Sequence, residues 1–534
     1  MKPMTSSRLR RISVCLLAAW FALSASLASA QAETQRETKR DVSPPINEAK
    51  KKLERAEFKG FAEKSPIKKE HRVRTLPLPK KKKGAPSPAS AAPTAKPFKL
   101  SASIKTQFDG IGKGPKGSGA DYLIQHAPPD TNGSVSEIHY VQWVNQAFAV
   151  FDKKTGKPLA GPTDGNALWL NFGGKCEGAN DGDPIVLYDK LAKRWLMTQF
   201  AVTGGPPFSQ CIAVSQTPDP LSKYFRYEFQ FRDFNDYPKF GVWPDGYYAA
   251  FNMFRDDSFL GAKVCAFERD KMLAGQAATM QCFDIPDQAG LLPSDLDGAN
   301  PPPAGSPNYF LNFGDNELNL WKLKVDWQNA ANTKFTGPLA TQVAAFEPAC
   351  GNTDCIVQPG TKQRLQPLSD RLMYRLAYRN LGVREVLTVN HTVKAGMSTG
   401  IRWYELHNPR GTLQVKQQGT YTPDGAFRWK ASIAMDKAGN MLMGYSVSDA
   451  SVSPSIRYAG RSASDPLNAM SLEQTVVTGK GAQLQNLDRW GDYSSISLDP
   501  SDDCTFWFTS QYSNERGTFD WYTSISSLKF QNCM

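Results

Sequence analysis

Seven short aromatic-rich runs recur along this chain at intervals of 52 to 69 residues, and that recurrence limits its possible folds more than any other feature. They are Tyr140 to Asn145, Trp195 to Phe200, Tyr247 to Phe254, Tyr309 to Phe313, Leu372 to Tyr378, Met441 to Tyr445 and Thr505 to Thr509. Several follow a shorter run that ends in an aspartate and a turn: Asp189-Lys190, Pro244-Asp245-Gly246, Asp436-Lys437-Ala438-Gly439 and Asp499-Pro500-Ser501. Runs this short, bounded by Gly, Pro, Asn and Asp and without a sustained 3.6-residue apolar period, predict strands. A repeat of about 60 residues, each unit a small meander unable to bury its own faces, predicts an all-β propeller whose blades close into a ring. Seven blades are expected, with six as the alternative because the first and fourth units are weakest. Leu100 to Phe108 reads as a strand without a unit, while the last unit, ending at Thr523 to Phe530, has only three strands. Pairing the two closes the ring and removes its exposed edges.

The repeats begin only near Lys99. Before them, Arg8, Arg10 and Arg11 precede an apolar stretch, Ile12 to Leu27, and Ala28-Ser29-Ala30 supplies a small-x-small cleavage pattern. Residues 1–30 are therefore expected to be a secretory signal, which places the mature chain outside the cell or in the envelope, with no transmembrane segment after cleavage. Residues 31–98 are rich in Lys, Pro, Ala and Ser, include the run Lys80 to Lys83, and are expected to form a disordered basic stalk. Asn47 to Phe61 within it is a candidate short amphipathic helix, and the stalk a candidate contact for an anionic surface. Residues 1–98 carry 22 Lys+Arg against 8 Asp+Glu, whereas the remainder carries 41 against 43. The formal net charge of +12 thus belongs to the leader and stalk, and the body lacks the excess of basic residues that a nucleic-acid-binding face needs.

Eight of the nine cysteines lie beyond the leader, an even number that in an exported chain predicts disulfides. No Cys-x-x-Cys occurs and histidines number only five, so a metal centre is not expected. With strands lettered A to D from the axis outward, Cys265 and Cys282 fall on adjacent strands C and D of the third unit. Cys504 opens strand B of the last unit and Cys533 follows its strand C. Cys211 enters a strand C on the face of the loop holding Cys176, and Cys350 and Cys355 can pin a local loop. The expected bridges are 176–211, 265–282, 350–355 and 504–533.

Ala434-Met435-Asp436-Lys437-Ala438-Gly439-Asn440 resembles a degenerate form of the Asp-box turn of sialidase-like propellers. Arg489-Trp490-Gly491-Asp492-Tyr493-Ser494, followed by Asp499-Pro500, resembles a motif of exported bacterial β-propellers of unassigned function. So does Asp236-Tyr237-Pro238-Lys239 leading into Val242-Trp243-Pro244-Asp245. The resemblance covers most of 100–534 and implies architecture. It carries over no catalytic residue, because the sialidase Arg-Ile-Pro and Ser-x-Asp-x-Gly-x-Thr-Trp patterns are absent.

Propeller ligand sites lie where the innermost strands begin. Those starts carry Asp183, Asp236, Lys239, Arg371, Arg428, Lys430, Arg489 and Asp492, with Asp181 nearby. Charges of both signs at one channel mouth suit an anionic sugar or a peptide terminus. Arginine pairs with carboxylate bidentately, and two carboxylates can act as acid and base. Strand-start charges also cap turns and pair with neighbouring blades. Arg428-Trp429 and Arg489-Trp490 are candidates for indole-on-guanidinium packing. Gly396-Met397-Ser398-Thr399-Gly400 has the letters of a nucleophile elbow, but a strand rather than a helix follows, which predicts a hairpin turn. The acidic loop Glu177 to Asp183 offers carboxylates for calcium without the spacing of an EF-hand, so no cofactor is assigned beyond that possibility. The sequence thus points to a binding module for glycan or for envelope or extracellular protein. The alternative is a glycoside hydrolase or lyase working at the channel mouth.

Overall fold

The computed structural model describes residues 31–46, 48, 69–70, 74–81, 98–113 and 126–534 apart from 486 and 519. The leader, all but one residue of the candidate helix over Asn47 to Phe61, and Lys82 and Lys83 lie outside the described residues.

The strands form an all-β propeller of seven antiparallel four-stranded blades. Their innermost strands are Asn132–Val135, Ile185–Asp189, Phe234–Trp243, Leu292–Asp297, Met373–Asn380, Phe427–Met435 and Ser495–Leu498. The innermost strands of blades 4 and 5 also pair in parallel, Ser294 with Leu376 and Asp297 with Arg379, joining the two blades into one eight-stranded sheet. Blade 7 has three strands from the C-terminus, and Ala102–Asp109 supplies its fourth, with Phe108 opposite Ile525 and Ala102 opposite Phe530. The expected closure of the ring is thus present.

Aspartates cap the turns that follow several innermost strands. Asp189 accepts the N–H groups of Leu191 and Ala192, Asp436 those of Ala438 and Asn440, and Asp499 that of Ser501. Each carboxylate thereby satisfies backbone donors that the hairpin leaves unpaired. Between blades the core is aromatic: Phe229 meets Phe267 edge-on at 4.9 Å, and Trp243 meets Tyr378 at 4.7 Å.

Six of the seven aromatic runs are second strands, but Leu372 to Tyr378 lies mainly on the innermost strand of blade 5, whose second strand is Glu385–Ala395. Tyr374 and Tyr378 are there because they fill the axis and the blade interface. Within the segment expected to be a disordered stalk, two described stretches pair with the ring. Glu33–Arg36 pairs with Thr279–Ile285, and Lys39–Val42 pairs with Tyr224–Phe231, adding fifth strands to blades 3 and 2. Asp41 accepts two hydrogen bonds from the buried Arg226 guanidinium, at 2.7 and 2.6 Å. Composition misses such a segment because its stability comes from an open sheet edge elsewhere in the chain.

All four expected disulfides are present: 176–211, 265–282, 350–355 and 504–533. Met397 tips a hairpin between Glu385–Ala395 and Ser398–His407, as expected for 396–400. Cys504–Cys533 spans 29 residues and fastens the closing blade. Replacing both cysteines by serine is expected to lower unfolding free energy by about 3 kcal/mol, read as a shift in the urea midpoint. An unshifted midpoint would show that closure rests on strand pairing alone.

Candidate functional site

At the face where the innermost strands begin, the chain turns left-handed in blade after blade. Asp130 (φ 44°), Asp183 (φ 46°), Tyr237 (φ 55°) and Lys430 (φ 52°) all adopt this conformation, and Gly290 (φ 62°) does so before the innermost strand of blade 4. Each non-glycine residue held there costs on the order of 1 kcal/mol, strain that persists only where surrounding structure imposes it. In blades 3 and 6 the turn is a bulge inside the strand, between Asp236 and Lys239 and between Trp429 and Ser432.

These turns gather charges around the axis. A cleft of about 510 Å³ opens there, and Asp183, Asp236, Tyr237, Arg371, Arg489 and Asp492 line it. Arg489 Nη2 lies 2.8 Å from Asp492 Oδ1, and Lys430 Nζ lies 3.7 Å from the same oxygen. Arg371 donates Nε and Nη2 to Asp370 at 2.7 and 3.1 Å. Beneath the charges, Tyr237, Tyr374 and Tyr493 fill the axis. Lys239 is wholly buried, with its Nζ 3.6 Å from the Tyr237 ring centre and 3.8 Å from that of Tyr493.

Seven of the eight residues expected at the channel mouth are therefore neighbours: Asp183, Asp236, Lys239, Arg371, Lys430, Arg489 and Asp492. Arg428 is not. Its guanidinium pairs with Asp424 and Glu473 on the flank of blade 6, where it braces that blade. Nor do the tryptophans pack on guanidinium groups, since Trp429 and Trp490 meet each other at 5.8 Å. The 177–183 loop divides its carboxylates among separate tasks. Glu177 accepts the N–H groups of Asn171 and Gly173, and Asp181 those of Val202 and Thr203. Among the described residues no three potential metal ligands converge.

Two participants escaped the sequence reading. Asp130 accepts the Asp492 N–H at 2.6 Å and sits before the innermost strand of blade 1 as Asp183 does in blade 2. Aligning Pro-Asp-Thr-Asn at 129–132 with Gly-Asp-Pro-Ile at 182–185 across the repeat is the signal that would have found it. Arg74 also lines the cleft, from the segment expected to be a stalk, and no local pattern marks it.

The environment drives these groups apart in proton affinity. Burial, reinforced by the neighbouring Asp492 charge, pushes Asp130 up to about 7. Burial and Asp130 push Asp183 well above the carboxylate range, and burial raises Asp236 against the pull of Arg74. Burial would raise Asp492 too, but Arg489, Lys430 and Arg371 hold it at about 2. Burial lowers Lys239 to about 8 and Lys430 to about 7. Cations and carboxylates here largely compensate one another rather than solvent.

No protein-family model matches the chain, and no curated protein does. Several solved structures share a limited likeness. The endo-arabinase of Bacteroides thetaiotaomicron VPI-5482 is 11% identical over 66% of this chain and 94% of its own, with a TM-score of 0.30. The α-L-arabinanase of Penicillium chrysogenum, complexed with arabinobiose, is 10% identical over 80% and 100%, with a TM-score of 0.36. An ulvan lyase representing a new polysaccharide lyase family is 12% identical over 72% and 92%, with a TM-score of 0.33. Likenesses at this level say nothing of what this chain binds.

A pH prediction follows from Asp130, which faces Asp492, Arg489, Lys430 and the Asn145 amide. A carboxyl whose affinity for protons rises on folding stabilises the fold at low pH and loses that contribution as pH climbs from about 4 to about 7. The slope is about 1.4 kcal/mol per pH unit where only the folded form holds the proton. Asp130→Asn is expected to flatten the fall in unfolding free energy between pH 4.5 and 7. An unchanged slope would assign the fall to other groups.

Proposed function

We propose that the chain is an exported binding module whose axial cleft takes a cationic group of a polypeptide ligand. One observation carries this reading: the guanidinium groups of Arg371 and Arg489 at the mouth are engaged, while the carboxylates of Asp183 and Asp236 are not. Arg371 is spent on Asp370 and Arg489 on Asp492 and Gln366. Among the described residues no hydrogen bond or ion pair reaches the carboxylate of Asp183 or of Asp236, and both line the cleft. A buried carboxylate without a partner takes up a proton or attracts a cation. An arriving ammonium or guanidinium would therefore bind the ionised form and release the proton. Four disulfides support export, and among the described residues no helix is long and apolar enough to cross a membrane.

A specific observation also favours a second reading, acid–base catalysis on a glycan. Asp183, held protonated, and Asp492, held ionised, line one cleft, the arrangement in which two carboxyl groups divide the roles of acid and base.

Calorimetric titration with argininamide, small enough for the open volume, tests the first reading. Binding is expected to release protons, seen as heats that vary with the ionisation enthalpy of the buffer, and to strengthen as pH rises from 6 to 8. Asp183→Asn is expected to lower affinity about tenfold and remove the proton release. Absence of binding, together with fragments released from a polysaccharide by wild type but not by the same variant, would move the conclusion to the glycan-acting enzyme.

A further inference from the structure

One part of the cleft is lined by a piece of this chain from outside the ring. Arg74-Thr75-Leu76 lies against the axial face of the ring in an alternating pattern, with Arg74 half-buried, Thr75 exposed and Leu76 only 2% exposed. Such alternation is that of an extended strand laid on a surface.

Three sets of contacts hold it. The Arg74 guanidinium lies over the Phe234 ring, 4.3 Å from its centre, and 5.4 Å from that of Phe254. Its charge is also the strongest opposing the upward push of burial on Asp236. Leu76 packs into an apolar cup formed by Phe200, Phe234 and Phe254. Between them the backbone is gripped by an ion pair: Asp370 Oδ2 accepts the Leu76 N–H at 2.8 Å, and Arg371 Nη2 donates to the Arg74 carbonyl at 3.2 Å. A carbonyl and the N–H two residues on point the same way from an extended chain, and a neighbouring β-strand satisfies such a pair with its own N–H and C=O. Here the Asp370–Arg371 pair presents the same acceptor and donor. Gly290 (φ +62°) leaves the space, since a Cβ there would stand 2.9 Å from Arg371 Cβ and 3.5 Å from Leu76 Cδ1.

We propose that Arg74-Thr75-Leu76 is an internal ligand that competes with an external, extended polypeptide for the axial face. The external ligand presents a cationic side chain and, two residues on, an apolar one. The proposal rests on the reading of the cleft as a cation-taking polypeptide site and adds the recognition pattern and its built-in competitor. None of the contacts depends on Arg74 being covalently joined to the ring. Side-chain pockets at alternate positions with a backbone clamp between them are how a strand is read by a surface. Tethering gives the internal segment an effective concentration of about millimolar, so an external segment of equal quality binds the intact protein poorly.

The test uses the full chain and a fluorescein-labelled peptide copying residues 72–78, Arg-Val-Arg-Thr-Leu-Pro-Leu, read by fluorescence anisotropy. Arg74→Ala with Leu76→Ala in the protein is expected to raise affinity for the peptide at least about tenfold over wild type. A peptide with alanine at the same two positions is expected not to bind, and Asp370→Asn added to the double variant is expected to abolish binding of the native peptide. Should the double variant lose its near-ultraviolet circular dichroism, Arg74→Glu alone, which retains the leucine side chain but sets a negative charge beside Asp236 and so loosens the internal segment, carries the same expectation. Equal binding by wild type and variant, no binding by either, or binding indifferent to the peptide's arginine and leucine would each overturn the proposal. Argininamide titrated into both proteins separates the two readings. Its binding through Asp183 with no peptide discrimination sinks the internal ligand alone, whereas its failure to bind sinks the cation site.

Discussion

The pairing of Ala102–Asp109 with Tyr522–Phe530 is the contact on which the rest depends. A blade has two faces to bury and does so only if both neighbours are present, so an open ring would expose two blade faces and two rows of unpaired backbone groups. Closure is reinforced at the face opposite the cleft by charges that link one blade to another. Lys153 of blade 1 reaches Asp499 of blade 7, Arg379 of blade 5 reaches Asp503 after it, and Lys190 of blade 2 reaches Asp297 of blade 4. Arg375 sits among Asp295, Asp297 and the Ile496 carbonyl. Removing one member of a buried pair costs about 3–5 kcal/mol because its partner stays buried and uncompensated. These links set the positions of the innermost strands, and those positions set the cleft.

The charged cluster is possible only because of that rigidity. Five carboxylates and four cations come from strand starts scattered over most of the sequence, Arg74 adds a fifth cation from the N-terminal segment, and several stand on backbone that an isolated loop would not adopt. Asp492 is held low because Arg489, Lys430 and Arg371 surround it, and once ionised it helps push Asp130 and Asp236 up. Lys239 faces tyrosine rings rather than an oxygen, apart from the adjacent Pro238 carbonyl, so its proton is held weakly. The cluster is thus a set of mutually dependent protonation states, and a ligand charge entering at Asp183 would be felt at several of them.

The ring was legible because it is written in periodicity. Aspartate-capped turns and aromatic strands recur, an unpaired strand stands near Leu100, and cysteines fall where strands must be adjacent. The channel mouth was legible for the same reason, since strand starts in a ring converge whatever their distance in sequence. Arg428 shows the limit of that logic. It stands two residues before Lys430, within the same innermost strand, yet the bulge between Trp429 and Ser432 sends one side chain to the axis and the other to the flank. Side-chain direction at a bulge depends on local backbone angles that residue type does not record. Asp130 was missed because its repeat is one of the two weakest, and its acid neighbour Asp492 is 362 residues away.

The N-terminal segment calls for a different explanation, because composition does not mark the residues that dock. A window rich in Lys, Pro, Ala and Ser averages to a chain that cannot bury enough apolar surface to fold alone. Docking does not ask it to fold alone. Glu33–Arg36 and Lys39–Val42 need only an unpaired sheet edge, and Arg74 to Leu76 needs one cup, one aromatic face and one ion pair. What decides the matter is the alternation of single residues, arginine inward, threonine outward, leucine inward, which an average over a window erases. The same alternation that docks the segment is what an incoming strand would have to reproduce to displace it.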